Sequence, residues 1–186
     1  MLLIFGLGNK GKEYDNTYHN IGFKCLDSFL KKQNLVINKN KCFGDFSETN
    51  IFGEKVLFIK PTTFMNNSGE CVLAFIKKFK VSIDDILIIY DDFDLPIKEV
   101  RFRNSGSSGT HNGMRDIVRA LKTENFKRLR IGIKENNVNV PIINYVLSKI
   151  KSKQVFEDVF ENVTNEFIEN FIKNKGNVEN TSLKLV

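Results

Sequence analysis

The chemistry open to this chain rests on two histidines, His19 and His111, and on a few carboxylates and amides placed where apolar runs stop. Histidine changes charge near neutral pH, and a carboxylate behind its ring holds one tautomer so that the far nitrogen can remove a proton. Asp91 is the candidate partner for His19, because it directly follows the apolar run at residues 86–90. Asn9 follows another such run at residues 2–5, and Asn66 a third at residues 56–59. Strand ends far apart in sequence can converge on one edge of a sheet, and an amide there can steady an oxyanion or hold a carbonyl. No Gly-x-Ser-x-Gly elbow is present and no cysteine has a reactive local context, so water is the expected nucleophile. A loop histidine also fits a plain hydrogen-bonded role. Asp91, Asp92 and Asp94 read either as a magnesium site or as a turn that exposes three carboxylates.

The elements that must hold these groups follow from patterning. Residues 2–5 and 86–90 are short apolar runs typical of buried strands. Two more strand-like stretches lie within residues 41–60, with a turn around 49–53 between them. Helical spacing predicts a first helix from Ile21, a second behind "TTFMNNSGE" and a third beginning near Thr110. Asn67, with Glu70 three residues on, is the expected cap of the second, and Thr110 of the third. "KEVRFRNSG" reads as a strand with Arg101 and Arg103 on one face, followed by a serine- and glycine-rich loop. Residues 126–133 form one more strand carrying Arg128 and Arg130, and Pro141 opens a short helix through Leu147. A last helix at about 153–174 has a strong apolar stripe, which either packs on the domain or pairs in a coiled coil, and leaves a polar tail. Strands alternating with helices, with no repeat or linker, predict one α/β domain over residues 1–186.

Whole-chain properties narrow the function classes. The chain has 186 residues, 41% hydrophobic and 27% charged, enough for a substantial core. The opening residues lack a basic leader and no run reaches a membrane span, so the expectation is a cytoplasmic protein without a membrane partner. Three scattered cysteines without a C-x-x-C argue against a disulfide framework, and neither histidine has ligands at zinc spacing. The net charge of +6 is uneven: residues 101–130 hold eight basic side chains against two acidic ones. That window suits a polyanion or is a well-solvated basic surface.

The opening "GLGNKG" satisfies the dinucleotide pattern G-x-G-x-x-G, but that pattern needs a helix starting at its last glycine. Gly11 is followed by the polar "KEYDNTYHN", and no helix is expected before Ile21. Asp27, at the distance of the ribose carboxylate, falls inside that helix and not at a strand end. A nicotinamide or flavin cofactor is therefore not expected.

Five stretches in this order and spacing, "GLGNKGKEYDNTYHNIGF", "KPTTFMNNSG", "DDFDLP", "GSSGTHNGMRDI" and "FKRLRIGI", resemble the bacterial-type peptidyl-tRNA hydrolases from Leu2 to about Phe171. The resemblance implies a mixed, twisted central sheet flanked by helices, in a monomeric cytosolic enzyme with no metal or cofactor. It implies cleavage of the ester joining a peptide to the 3′ end of tRNA. His19 matches the catalytic base and Asp91 its partner. Asn9 and Asn66 would hold the terminal ribose or peptide backbone, and Asn112 would position water or the tetrahedral intermediate. Tyr14 would shape the adjoining pocket with Phe64, Met65 and Gly109, while His111 would support the loop beside it. Arg103 and Arg130 match a phosphate clamp, with Arg101, Arg115, Arg119 and Arg128 as wider tRNA contacts. The chain departs from the family at Lys10, Tyr90 and Ser108, and carries "KENNVN" where a basic segment is common. The alternatives are a hydrolase of another acylated nucleotide and a non-enzymatic RNA-binding protein.

Overall fold

The computed structural model describes all 186 residues, Met1–Val186. Its centre is an eight-stranded sheet in the order β2-β3-β4-β1-β5-β7-β6-β8. The middle of the sheet is parallel: β1 (Leu2–Gly6) lies between β4 (Glu54–Pro61) and β5 (Ile86–Pro96), and β7 (Lys127–Lys134) follows β5. Strands buried on both faces need continuous apolar runs, and Leu2 to Phe5 and Ile86 to Ile89 supply them. Antiparallel pairs finish both sides, β2 (Lys39–Lys41) and β3 (Gly44–Ile51) at one, β6 (Glu99–Arg103) and β8 (Thr181–Lys184) at the other.

Helices cover both faces, giving two cores. On one face α1 (Ile21–Lys32) packs with α4 (Ile142–Val146), α5 (Lys153–Val159) and α6 (Asn165–Lys173). On the other face α2 (Ser68–Phe79) and α3 (Asn112–Leu121) enclose Phe5, Leu57, Ile88 and Tyr90. The α5–α6 stretch is joined by a π turn at Phe160–Thr164, and its Phe156, Phe167 and Phe171 enter the first core. That stripe is used up within the fold and offers no coiled-coil seam.

Several expectations change. The acidic residues after Tyr90 are not a loop: β5 continues through Asp91 and Asp92, which pair with Ile131 and Gly132 of β7 before an irregularity ahead of Pro96. The polar tail contains a strand, β8, whose alternating residues place Leu183 against the core. With a single apolar residue in four, its period-two signal is too short to read. Asn67 makes no side-chain cap; Asp116 Oδ2 from α3 accepts the Gly69 N–H at 2.7 Å instead. Thr110 does not cap α3 either, because His111 Nδ1 accepts the Met114 N–H at 3.1 Å.

Candidate active site

Parallel strands bring their C-terminal ends to one edge, and β1 lies between strands reached from opposite sides of the sheet, where a crevice opens. The helix following β1 comes unusually close to that edge. A Cβ on Gly22 would stand 2.4 Å from the Ile89 carbonyl oxygen and 2.4 Å from the Leu7 nitrogen, so only glycine admits this approach. Just before it, the 3-10 turn Tyr18–Asn20 is carried against the end of β5, and His19 meets Asp91 there.

Asp91 is 1% exposed and its carboxylate bridges two imidazoles. Oδ2 lies 2.9 Å from His19 Nδ1, and Oδ1 lies 2.9 Å from His111 Nε2. Burial alone would raise the Asp91 pKa, but the two rings outweigh it and hold the carboxyl well below its usual range. An ionised carboxylate only accepts, so both rings donate to it. His111 then has both nitrogens engaged, since its Nδ1 takes the Met114 amide. His19 is left with Nε2, which has no partner within the chain. Burial pushes the His19 pKa down, yet the Asp91 charge and hydrogen bond prevail and raise it above 6.5. Tyr90 packs edge-on against His111 at 5.0 Å, and burial pushes its phenol up to about 12.

Asn9 is fixed by contacts that sequence patterning did not reveal. Its Oδ1 accepts the Met65 N–H at 2.7 Å, which ties the ends of β1 and β4 together. Asn20 clasps its backbone from both sides, accepting from Asn9 N and donating to Asn9 O, each at 2.9 Å. The free end of the Asn9 amide is therefore Nδ2. Asn20 was identifiable only as an asparagine just before an apolar helix, a position usually read as a cap.

Beside His19 opens a cavity of about 360 Å³. Asp91, His111 and Asn112 border it, loop residues 105–110 roof it, and Phe93, Ile142, Ile143 and Val146 give it an apolar wall absent from the sequence expectations. Arg103, Arg128 and Arg130 also line it. Asn66 lies elsewhere, in a shallow polar recess with Asn112, Arg115 and Arg119, so Asn112 alone borders both spaces. Tyr14 and Phe64 meet edge to face at 6.4 Å, Phe64 being largely exposed while Met65 is buried behind Asn9.

The arginines differ sharply. Arg101 pairs with Glu99, and Arg119 is exposed and pairs with Asp116. Exposed Arg115 reaches Gly109 O and Asn112 Oδ1. Arg130 Nε bonds Asp92 Oδ2 at 2.7 Å. Arg128 does not fit the expected surface tRNA contact: it is 1% exposed and spends its donors on the carbonyls of Ser107, Glu124 and Phe126. It holds the roof of the cavity.

The three acidic residues do not gather as a magnesium site, since Asp92 turns to Arg130 and Asp94 stands exposed where the cavity meets solvent. The set whose donor atoms do converge, within 4.8 Å, is His19, Asp91 and His111. Its facing atoms are already hydrogen-bonded to one another. Nor is there a dinucleotide cradle. Gly11 turns the chain at φ +129°, but into a 3-10 turn at Lys12–Tyr14, and α1 starts ten residues later.

Comparison with known proteins gives the same picture. Residues 3–184 match the family model described as peptidyl-tRNA hydrolase. The peptidyl-tRNA hydrolase of Geobacillus thermodenitrificans is 47% identical over 154 residues, 83% of this chain and 83% of that one. That of Lactobacillus johnsonii is 46% identical over the same length and shares. The crystal structure of peptidyl-tRNA hydrolase from Acinetobacter baumannii superposes with a TM-score of 0.85 at 32% identity, covering 94% of this chain and 89% of that chain. A match running from β1 into β8, on a sheet whose edge assembles His19 with Asp91, places this chain in the peptidyl-tRNA hydrolase family.

Proposed function

We propose that His19 is the general base of the reaction that family membership assigns to the chain, hydrolysis of the ester between a peptide and the 3′ end of tRNA. The observation that carries this reading is the Asp91 carboxylate shared by two imidazoles, which leaves His19 Nε2 as the one uncommitted ring nitrogen beside the cavity. Nε2 takes a proton from water, the water oxygen attacks the ester carbonyl carbon, and Asp91 stabilises the imidazolium that forms. Collapse of the tetrahedral intermediate breaks the bond to the ribose oxygen, which receives that proton from His19. Asn9 Nδ2, steadied by Met65 and Asn20, donates to a peptide or ribose oxygen. Asn112, at the cavity border, positions the water or the oxyanion. Asn66 and Tyr14, outside that cavity, contact the outer part of the peptide together with Phe64. Arg103 and Arg130 bind phosphate, which gives affinity without reading sequence. No step uses a metal.

The chain acts as one unit and as a monomer in the cytoplasm; no helix is long and apolar enough to cross a membrane. The test compares N-acetyl-aminoacyl-tRNA with its unblocked counterpart. The blocked ester is cleaved rapidly and the free-amine ester slowly. His19→Ala lowers kcat by about a thousandfold, the middle of the range for a lost general base, and EDTA changes nothing. Slow cleavage of the blocked substrate rejects the function, full activity of His19→Ala rejects the mechanism, and loss with EDTA turns the His19, Asp91 and His111 cluster into a metal site.

A further inference from the structure

We propose that the C-terminal strand β8 positions Arg103, making it a phosphate receptor of fixed orientation; this rests on the reading of Arg103 as a tRNA contact. Arg103 ends β6 at the rim of the cavity. Its Nη1 donates to Phe102 O at 2.7 Å and to Thr181 O at 2.8 Å, and its Nη2 donates to Ser182 Oγ at 3.2 Å. The same segment grips the next residue: Asn104 N donates to Asn180 Oδ1 at 2.8 Å, and Asn104 Nδ2 to Val178 O at 3.0 Å. Thr181 and Ser182 therefore set the direction of the guanidinium, while Val178 and Asn180 anchor the backbone immediately after it.

Two consequences follow from donor bookkeeping. An arginine has five N–H groups, and three are taken by these partners. The two that remain are Nε–H and one Nη2–H, the pair that two oxygens of one phosphate can bridge. All three acceptors are neutral, whereas Arg101, Arg119 and Arg130 each face a carboxylate. Arg103 thus keeps its full charge while losing its freedom to turn, so that little rotamer entropy is left to lose on binding.

The test measures hydrolysis of N-acetyl-aminoacyl-tRNA and of the N-acetyl-aminoacyl ester of adenosine, which carries no phosphate. Proteins compared are the wild type, Asn180→Ala/Ser182→Ala, Arg103→Gln and the triple variant, with folding checked by thermal unfolding. The double variant raises KM for the tRNA ester about fivefold, the scale of hydrogen bonds to a partly solvated charge, without changing kcat or adenosine ester cleavage. It has no further effect when Arg103 is already Gln, because the strand acts through that side chain. An unchanged KM in the double variant, with a raised one in Arg103→Gln, overturns the positioning role alone. An equal rise in the Arg103→Gln background overturns it as well. An unchanged KM in Arg103→Gln overturns the tRNA contact and the inference with it.

Discussion

His19 has to be neutral to accept a proton, and its surroundings decide at what pH that holds. Burial pulls its pKa down, but the Asp91 charge and hydrogen bond prevail and raise it above 6.5. The acid limb of kcat/KM, which reports the free enzyme, therefore has its midpoint above pH 6.5. Asp91→Asn removes the charge and leaves burial unopposed, so the limb moves to lower pH while the rate falls, because the tautomer is no longer held. A pH profile of both proteins on one blocked substrate checks this, and a limb that stays put in Asp91→Asn removes Asp91 as the cause. The same shift has a stability side. Protonated His19 stabilises the fold fully below pH 6.5, and that contribution fades as pH rises through the folded-state value.

At the scale of elements, the dyad exists because α1 lies against the ends of β1 and β5. Gly22→Ala places a methyl group 2.4 Å from the Ile89 carbonyl oxygen, and backbone cannot yield as a side chain would. Overpacking of this kind costs about 3 kcal/mol, and moving α1 outward draws His19 off Asp91. Urea unfolding with parallel kcat measurements checks both, and a variant with wild-type stability and rate contradicts the packing account. The strands and the helices from Ile21 onward were legible because apolar periodicity is local, and so was the pairing of His19 with Asp91 near the end of the β5 apolar run. What escaped depends on partners distant in sequence. Asp116 capping α2, Asn20 clasping Asn9 and the four-residue strand β8 have no local signature. Arg128 could not be read as a buried strut, because its acceptors are main-chain carbonyls of the loop and of the turn before β7. An arginine among arginines looks like surface until the fold is known.

Across the whole molecule, the basic window becomes a face. In the β6–β7 ladder Arg101 stands opposite Arg130 and Arg103 opposite Arg128, while Val100, Phe102, Leu129 and Ile131 turn into the core. Like charges directly opposite each other destabilise a sheet, so four arginines in adjacent pairs need compensation. Asp92 and Glu99 form ion pairs with only two of them, and the residual field favours a polyanion. Arg130 carries a particular burden because it masks Asp92, a buried carboxylate facing the same cavity. Arg130→Gln therefore does more than delete a cation. It uncovers a negative charge toward the incoming phosphates, and KM for the tRNA ester rises more than in Arg103→Gln, steeply with salt lowered below physiological ionic strength. Adding Asp92→Asn to Arg130→Gln removes the uncovered charge and recovers most of that loss. Titration of KM against salt for the four proteins decides the point: if Arg130→Gln and Arg130→Gln/Asp92→Asn bind equally, Asp92 is no hidden repulsion and Arg130 acts by direct contact alone.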